Sequence, residues 1–206
     1  NTAAEYAWAL PCFNVFAFLA WIILSRYVHR NTIFISLSAI GISFIWFVAV
    51  IADFVSGDMV AVVVDFDWIH IGEWVITWGF SVDRISVVML GLITFVGLVV
   101  QAYSIEYMSE DPRISWYFCL QSFFVAAMLL LVLADNLLFL YFAWELVGLG
   151  SYLLIGFWYE RPSAAEAAKK AFITTRIGDV GLLIGIILLF KSAGTFHITS
   201  IIHAAN

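Results

Sequence analysis

The chain has 206 residues, of which 64% are hydrophobic and 12% charged, with a mean hydropathy of +1.03 and a formal net charge of −6. A soluble domain needs far more polar surface, so the composition excludes a soluble globular module and predicts an all-α polytopic membrane protein. Cys12 and Cys119 lie in separate apolar segments, with no CxxC, Cys/His cluster, P-loop or GxGxxG pattern, which excludes a disulfide framework and leaves no metal, iron–sulfur or nucleotide motif to read.

Six apolar runs of 20 to 24 residues follow in chain order: Tyr6–Ser25, Thr32–Ala52, Ile85–Ile105, Ile114–Ala134, Asn136–Tyr159 and Ala171–Phe190. At about 1.5 Å rise per residue each spans roughly 30 Å of hydrocarbon, so about six transmembrane helices are predicted. No basic region precedes Tyr6–Ser25, and it reads as a spanning helix instead of a cleaved signal. The joints carry charge and turn residues at Arg26–Arg30, at Glu106–Arg113 with Pro112, and at Glu160–Lys170 with Pro162. Between the fourth and fifth runs only Asp135 and Asn136 mark a turn, which predicts a tight helical hairpin.

The Asp53–Asp83 segment has a different pattern. Val60–Val64 and Trp74–Phe80 are rich in Val, Ile and Trp and flank the more polar Asp65–Glu73. Two such strands cannot face lipid as an open sheet, so they are predicted to form a β-hairpin outside the membrane, with Trp68, Trp74 and Trp78 suited to the interface. The predicted organisation is helices 1–2 in residues 1–56, the extracytoplasmic hairpin in 57–82, helix 3 in 83–112, helices 4–6 in 113–191, and a loop or interfacial segment in 192–206. With the N-terminus outside, Arg26, Arg30, Arg113, Arg161, Lys169 and Lys170 fall on the cytoplasmic side against Arg84 and Lys191 opposite, as the positive-inside rule prefers. The hairpin acids Asp53, Asp58, Asp65, Asp67 and Glu73 then face outward.

Three charges lie inside spanning runs. Glu145 is near the middle of Asn136–Tyr159, and Arg176 and Asp179 lie within Ala171–Phe190. A central Asp, Lys or Arg costs about 2.5–3.5 kcal/mol on insertion scales, so these residues mark a proton- or ion-translocating site. Glu145, Gly148, Leu149 and Tyr152 share a helical face, and the small Gly148, Gly150 and Ser151 let a neighbour approach. Arg176 and Asp179 are three apart and form an intrahelical pair, with Gly178 and Gly181 leaving room for packing or water. Structural alternatives exist for each: a Glu that pins two helices, or an Arg–Asp pair that sets registry. Lys169 and Lys170 read as snorkelling anchors, or with Glu166 as a proton entry path; His29, His70, His197 and His203 read as ordinary loop or interfacial residues.

The run LADNLLFLYFAWELVGLGSYLLIGFWYERPSAAEAAKKAFITTRIGDVGLLIGIILLF, Leu133–Phe190, closely resembles the antiporter-like subunit family of respiratory complex I, the NADH–quinone oxidoreductase subunit L family. Gly79–Arg113, with VDRIS, AYSIEYM and EDPR, looks like the same family, while the first 78 residues fit only in layout. The resemblance implies an inverted-repeat fold with broken helices, of which this chain holds the front part. It implies proton translocation driven by electron transfer elsewhere, with flavin, iron–sulfur clusters and quinone on other subunits and no cofactor or metal in this chain. Partners are then other membrane subunits, in an energy-coupling membrane such as a bacterial plasma membrane. Glu145 matches the family's acidic partner of a buried lysine, and Arg176 and Asp179 match its R-GD-G motif; the lysine lies on a later helix, so the chain is expected to be part of a longer protein. Alternatives are the large subunit of an Mrp-type sodium/proton antiporter, a membrane-bound hydrogenase-type complex, or a scaffold whose buried charges only hold helices.

Overall fold

A computed structural model of the chain describes residues 2–24, 32–56, 61–71 and 74–205. The elements are α1 (Thr2–Glu5), α2 (Ala9–Leu24), α3 (Thr32–Ser56), β1 (Val62–Ile71), β2 (Trp74–Val82), α4 (Arg84–Tyr107), α5 (Ile114–Leu133), α6 (Leu137–Ile155), α7 (Pro162–Ala193) and α8 (Ile198–Ala205). The fold is the all-α polytopic one, with one small sheet. Five helices, α3 to α7, are long and apolar enough to cross a membrane. The first apolar run yields the shorter α2, because α1 and a turn at residues 6–8 take up its start.

Helix ends follow local chemistry. Asp83 caps α4 by accepting from the Ser86 amide at 2.7 Å, and Asn136 caps α6 by accepting from the Leu138 amide at 2.8 Å. The largest departure from the sequence reading is α7, which starts at Pro162 and not at Ala171. Proline at the first helical position lacks only an amide that would be unpaired there anyway, and the alanine-rich stretch that follows favours helix despite its charges. Glu166, Lys169 and Lys170 therefore sit on the first turns of a 32-residue helix, not in a loop. The helix stops at Gly194, whose φ of 72° is the left-handed value glycine adopts freely.

β1 and β2 pair antiparallel, with Val62 opposite Val82, and the register slips between Asp67 and Ile69. The polar Asp65–Glu73 stretch is not a loop: β1 continues through it to Ile71, since Asp65, Phe66 and Asp67 keep the two-residue alternation of a strand. Only residues 72–73 separate the strands, and they lie outside the described residues, as do Arg26, His29, Arg30, Asp58 and the side chains of Trp68, His70, Trp74 and His203.

Lipid is as apolar as a leucine side chain, so burial alone does not drive spanning helices together; polar contacts and close packing do. Ser36 of α3 lies within hydrogen-bonding distance of Gln101 Oε1 on α4 (3.1 Å), the Phe118 carbonyl on α5 (3.2 Å) and Ser122 Oγ (2.5 Å). Asn14 of α2 donates to Ser43 of α3 at 2.9 Å. Leu10, Ile40, Leu90, Leu129 and Leu133, all fully enclosed, belong to the main hydrophobic core of the bundle.

Both ends of the bundle are fastened. At one end the hairpin lies against the helix termini, with Trp78 stacked on Phe139 and Phe66 edge-on to Trp8. There the Asp135 amide donates to Gly79 O, the Ile198 amide to Asp135 O, and Thr199 Oγ1 to Asp135 Oδ1 at 2.8 Å. A Cβ on Gly79 would meet Asp65 Oδ1 at 2.6 Å and Asp135 Cβ at 3.2 Å, so a side chain there would push the exposed Asp65 carboxylate aside. At the other end Arg113 pairs with Glu160 at 2.8 Å and lies over the Phe157 and Tyr159 rings, joining the α4–α5 and α6–α7 loops. Asp111 accepts from Trp158 Nε1 at 2.8 Å and from the Arg113 amide at 2.8 Å.

Desolvation pushes the Asp111 carboxyl up, but the Trp158 hydrogen bond, the Arg113 amide and the Arg113 charge together outweigh it and hold the group below its usual range. A carboxyl depressed in the folded state contributes stability above its unfolded pKa of about 3.9, and that contribution is lost as pH falls through the lower folded value. Thermal unfolding in detergent from pH 7 to pH 3 should therefore show the wild type losing stability below about pH 4. Asp111→Asn should start lower at pH 7 and lack that component of the acid loss.

Candidate functional site

The bundle brings all three membrane-embedded charges together. Glu145 projects from the middle of α6 toward α7, and its carboxylate pairs with the Arg176 guanidinium. Arg176 Nη2 also points at the Glu145 carbonyl, 3.5 Å away, and Nη1 lies 3.5 Å from Asp179 Oδ2. One cation thus stands between two carboxylates, one on each helix. Its Cζ lies 4.5 Å from the centre of the Phe172 ring one turn earlier on α7, an arrangement in which the ring face attracts the charge.

The α6 face explains how the helices come this close. Gly148 is one turn beyond Glu145, and a Cβ there would sit 3.1 Å from Arg176 Nη2. Tyr152, a further turn along, packs its ring on Phe172 at 5.1 Å. Gly150 turns the other way, toward Phe123 and Phe124 of α5, so the small residues of α6 serve two different neighbours. On α7 the glycines leave the room the sequence suggested, and it is unfilled by the described residues. A Cβ on Gly178, Gly181 or Gly185 would meet nothing within 4 Å, so among the described residues these glycines line an open face and pack against no helix.

Asp179 is the most enclosed of the three, with only 6% of its side chain exposed, against 24% for Glu145 and 30% for Arg176. Its second oxygen, Oδ1, accepts from Trp144 Nε1 at 2.8 Å. Sequence reasoning found the three charges because charge in an apolar run is conspicuous. It passed over Trp144 and Phe172, which look like ordinary membrane aromatics until helix packing sets them against the ions.

A second group lies at the hairpin end, where Asp65, Asp135 and His197 bring one ligating atom each to within 4.8 Å of one another. His197 Nδ1 is 3.6 Å from Asp135 Oδ2, and Asn136 and His197 form a backbone bridge. His197 therefore belongs to the fastening of α8 and is not a plain loop residue. Asp135 is already engaged by Thr199 and His197, and the group acts as a tie between hairpin, helical turn and α8.

Comparison with known proteins adds to this geometry. Residues 68–118 match the family model described as NADH-ubiquinone oxidoreductase (complex I), chain 5 N-terminus, and residues 134–206 match NADH:quinone oxidoreductase/Mrp antiporter, TM. The chain is 50% identical over 130 residues to NADH-quinone oxidoreductase subunit L of Mycobacterium tuberculosis, covering 63% of this chain and 20% of that protein. It is 42% identical over 197 residues to F(420)H(2) dehydrogenase subunit L of Methanosarcina mazei, covering 94% of this chain and 29% of that one. The chain thus spans under a third of the length of either curated relative. A chain in the structure of the membrane-bound sulfane sulfur reductase, an archaeal respiratory membrane complex, superposes with a TM-score of 0.83 over 98% of this chain and 40% of its own length. At 16% identity that likeness is one of fold.

The space above Gly148 yields a prediction. Gly148→Val should push the guanidinium out of its seat and lower stability by roughly 1–3 kcal/mol, the usual cost of overpacking. Thermal midpoints in detergent should show most of that penalty removed when Arg176→Ala opens the same space.

Proposed function

This chain belongs to the family of antiporter-like membrane subunits of complex I and Mrp-type transporters, and from that premise we propose that it forms part of a proton-translocating subunit of a complex-I-type quinone oxidoreductase. The observation that carries the proposal is the charge balance of the buried group. Glu145, Arg176 and Asp179 carry two negative charges and one positive when all are ionised, so the group is one positive charge short. An unbalanced charge between apolar helices draws in a proton or another cation. Site and electrostatics are supplied here; electron transfer, with its flavin, iron–sulfur and quinone chemistry, belongs to other subunits of the assembly.

The proposed mechanism is a competition for Glu145. While Arg176 is paired with Glu145, a proton or cation arriving from a neighbouring helix meets a neutralised carboxylate. When a redox-driven change draws that neighbouring cation toward Glu145, Arg176 shifts its weight to Asp179, already 3.5 Å away. The family resemblance implies that the neighbouring cation is a lysine of a later helix, whose weakened or strengthened pairing decides when it releases its proton. The magnitudes agree: moving one charge against 100 mV needs about 2.3 kcal/mol, and breaking a buried ion pair by removing one partner costs about 3–5 kcal/mol. One pair forming or breaking is enough to gate one proton.

The exposed side of α7 next to Arg176, with Val180, Ile184 and Ile177, is where such a neighbour docks in this proposal. The proposed setting is a bacterial plasma membrane with the N-terminus and hairpin outside. The structure's two ends agree with that sidedness, since Arg113 and Arg161 share the end opposite the hairpin and the first turns of α7 bring Lys169 and Lys170 there.

Glu145→Ala and Glu145→Gln in the full-length subunit should each reduce substrate-driven proton translocation at least about tenfold, the effect of losing roughly 1.4 kcal/mol of coupling, with the complex still assembled. Translocation in inverted vesicles and the abundance of the intact complex are the measurements. Normal translocation by an assembled Glu145→Gln complex would sink the proposal. Co-purification with small antiporter subunits, in place of flavin and iron–sulfur partners, would redirect it to an Mrp-type antiporter.

A further inference from the structure

We propose that Trp144 is a positioning residue that sets how Arg176 is divided between Glu145 and Asp179; the inference rests on the proton-translocating reading above and identifies what biases the same site. Trp144 directly precedes Glu145, so the two side chains leave α6 about 100° apart. Glu145 takes the guanidinium head-on, while the Trp144 indole reaches across to α7 one turn further along. There its Nε1 donates to Asp179 Oδ1 at 2.8 Å, and the other oxygen, Oδ2, faces Arg176 Nη1 at 3.5 Å. The two oxygens of one carboxylate are thus held by two different donors.

That division has a consequence. A carboxylate next to an arginine turns to offer both oxygens, because the two-pronged pairing is the strongest the guanidinium makes. With Oδ1 committed to the indole, Asp179 offers Arg176 only Oδ2. Among the described residues no such donor restrains Glu145, which takes the ion pair, assisted by its own backbone carbonyl at 3.5 Å. The indole N–H donates only and does not titrate, so the restraint stays the same whichever carboxylate holds a proton. Trp144 therefore biases the arginine toward Glu145 without taking part in the transfer.

The surroundings favour this role over plain packing. Trp144 is 46% exposed, so its ring fills no core. It instead borders a cavity of about 330 Å³, together with Leu140, Thr175, Gly178, Asp179 and Leu182. Thr175 spends its hydroxyl on the Phe172 carbonyl, which leaves the indole as the donor on the cavity side of Asp179.

The test uses the full-length subunit in its assembled complex and follows substrate-driven proton translocation in vesicles, with complex abundance as the assembly control. Trp144→Phe keeps a ring and removes the donor. It should slow translocation at least roughly tenfold, the lower end of the range expected for losing a hydrogen bond to a charged group. Placed on top of Asp179→Asn, the same change should cause no further loss, because the group it acts through is already altered. Replacing Trp144 by benzothienylalanine, which has the shape of tryptophan with sulfur for N–H, should reproduce the Phe effect and serves if Trp144→Phe fails to assemble. Wild-type translocation in either single variant would overturn the inference, as would a Phe effect that multiplies fully with Asp179→Asn. Either result leaves the translocation reading intact so long as Glu145→Gln is defective; normal translocation in Glu145→Gln removes that reading itself.

Discussion

A guanidinium held between two carboxylates inside a pair of apolar helices is the constraint around which the rest of this chain is organised. Each charge alone is expensive in hydrocarbon, and the cost is tolerable only while all three face one another. That requirement dictates the neighbours. Gly148 leaves the guanidinium close to α6, Phe172 offers a ring face beneath the cation, and Trp144 caps the second oxygen of Asp179.

Both ends of these helices are fastened while the middle carries charge. Asp135 ties the start of α6 to the hairpin through Gly79 and to α8 through Ile198 and Thr199. Arg113, Asp111 and Trp158 tie the other end of α6 to the α4–α5 loop, and Pro162 starts α7 a few residues later. With its termini pinned, α6 cannot slide along α7 to relieve a change in charge. In the proposed mechanism a proton gained or lost at Glu145 is answered locally, by Arg176 moving between acceptors a few ångströms apart. Rigid ends turn a charge change into a side-chain switch.

What the sequence disclosed depended on contrast. Glu145, Arg176 and Asp179 were legible because charge stands out in apolar runs, and the Asp135–Asn136 turn because it is the only polar break between two helices. The start of α7 was hidden by the opposite effect: Glu166, Lys169 and Lys170 look like a loop by charge, yet they lie in an alanine-rich stretch behind a proline that favours helix. Strand β1 was underestimated for a similar reason, since Asp65 and Asp67 alternate with Phe66 as strand residues and still read as polar loop by composition. Trp144 and His197 gave no local signal at all. Their roles arise from which helix or turn lies opposite, and no periodicity within one segment encodes that.

The unequal burial of α7 completes the argument. Asp179 is enclosed against α6, whereas Ile177, Val180 and Ile184 on other faces of the same helix are more than half exposed, and the glycines beside Asp179 meet nothing. Exposed aliphatic residues are at home in lipid, but Glu145 and Arg176, at 24% and 30% exposed, are not. Gly178, Gly181 and Gly185 fall on the side of α7 turned away from Arg176, where they leave room for a neighbouring helix to pack closely. The ions lie on the α6-facing side, where the group is one positive charge short and a cation reaching it is held by electrostatics. The same deficit explains why Arg176 has to be shared: with two acceptors and one donor, whichever carboxylate the arginine leaves is the one open to the incoming charge.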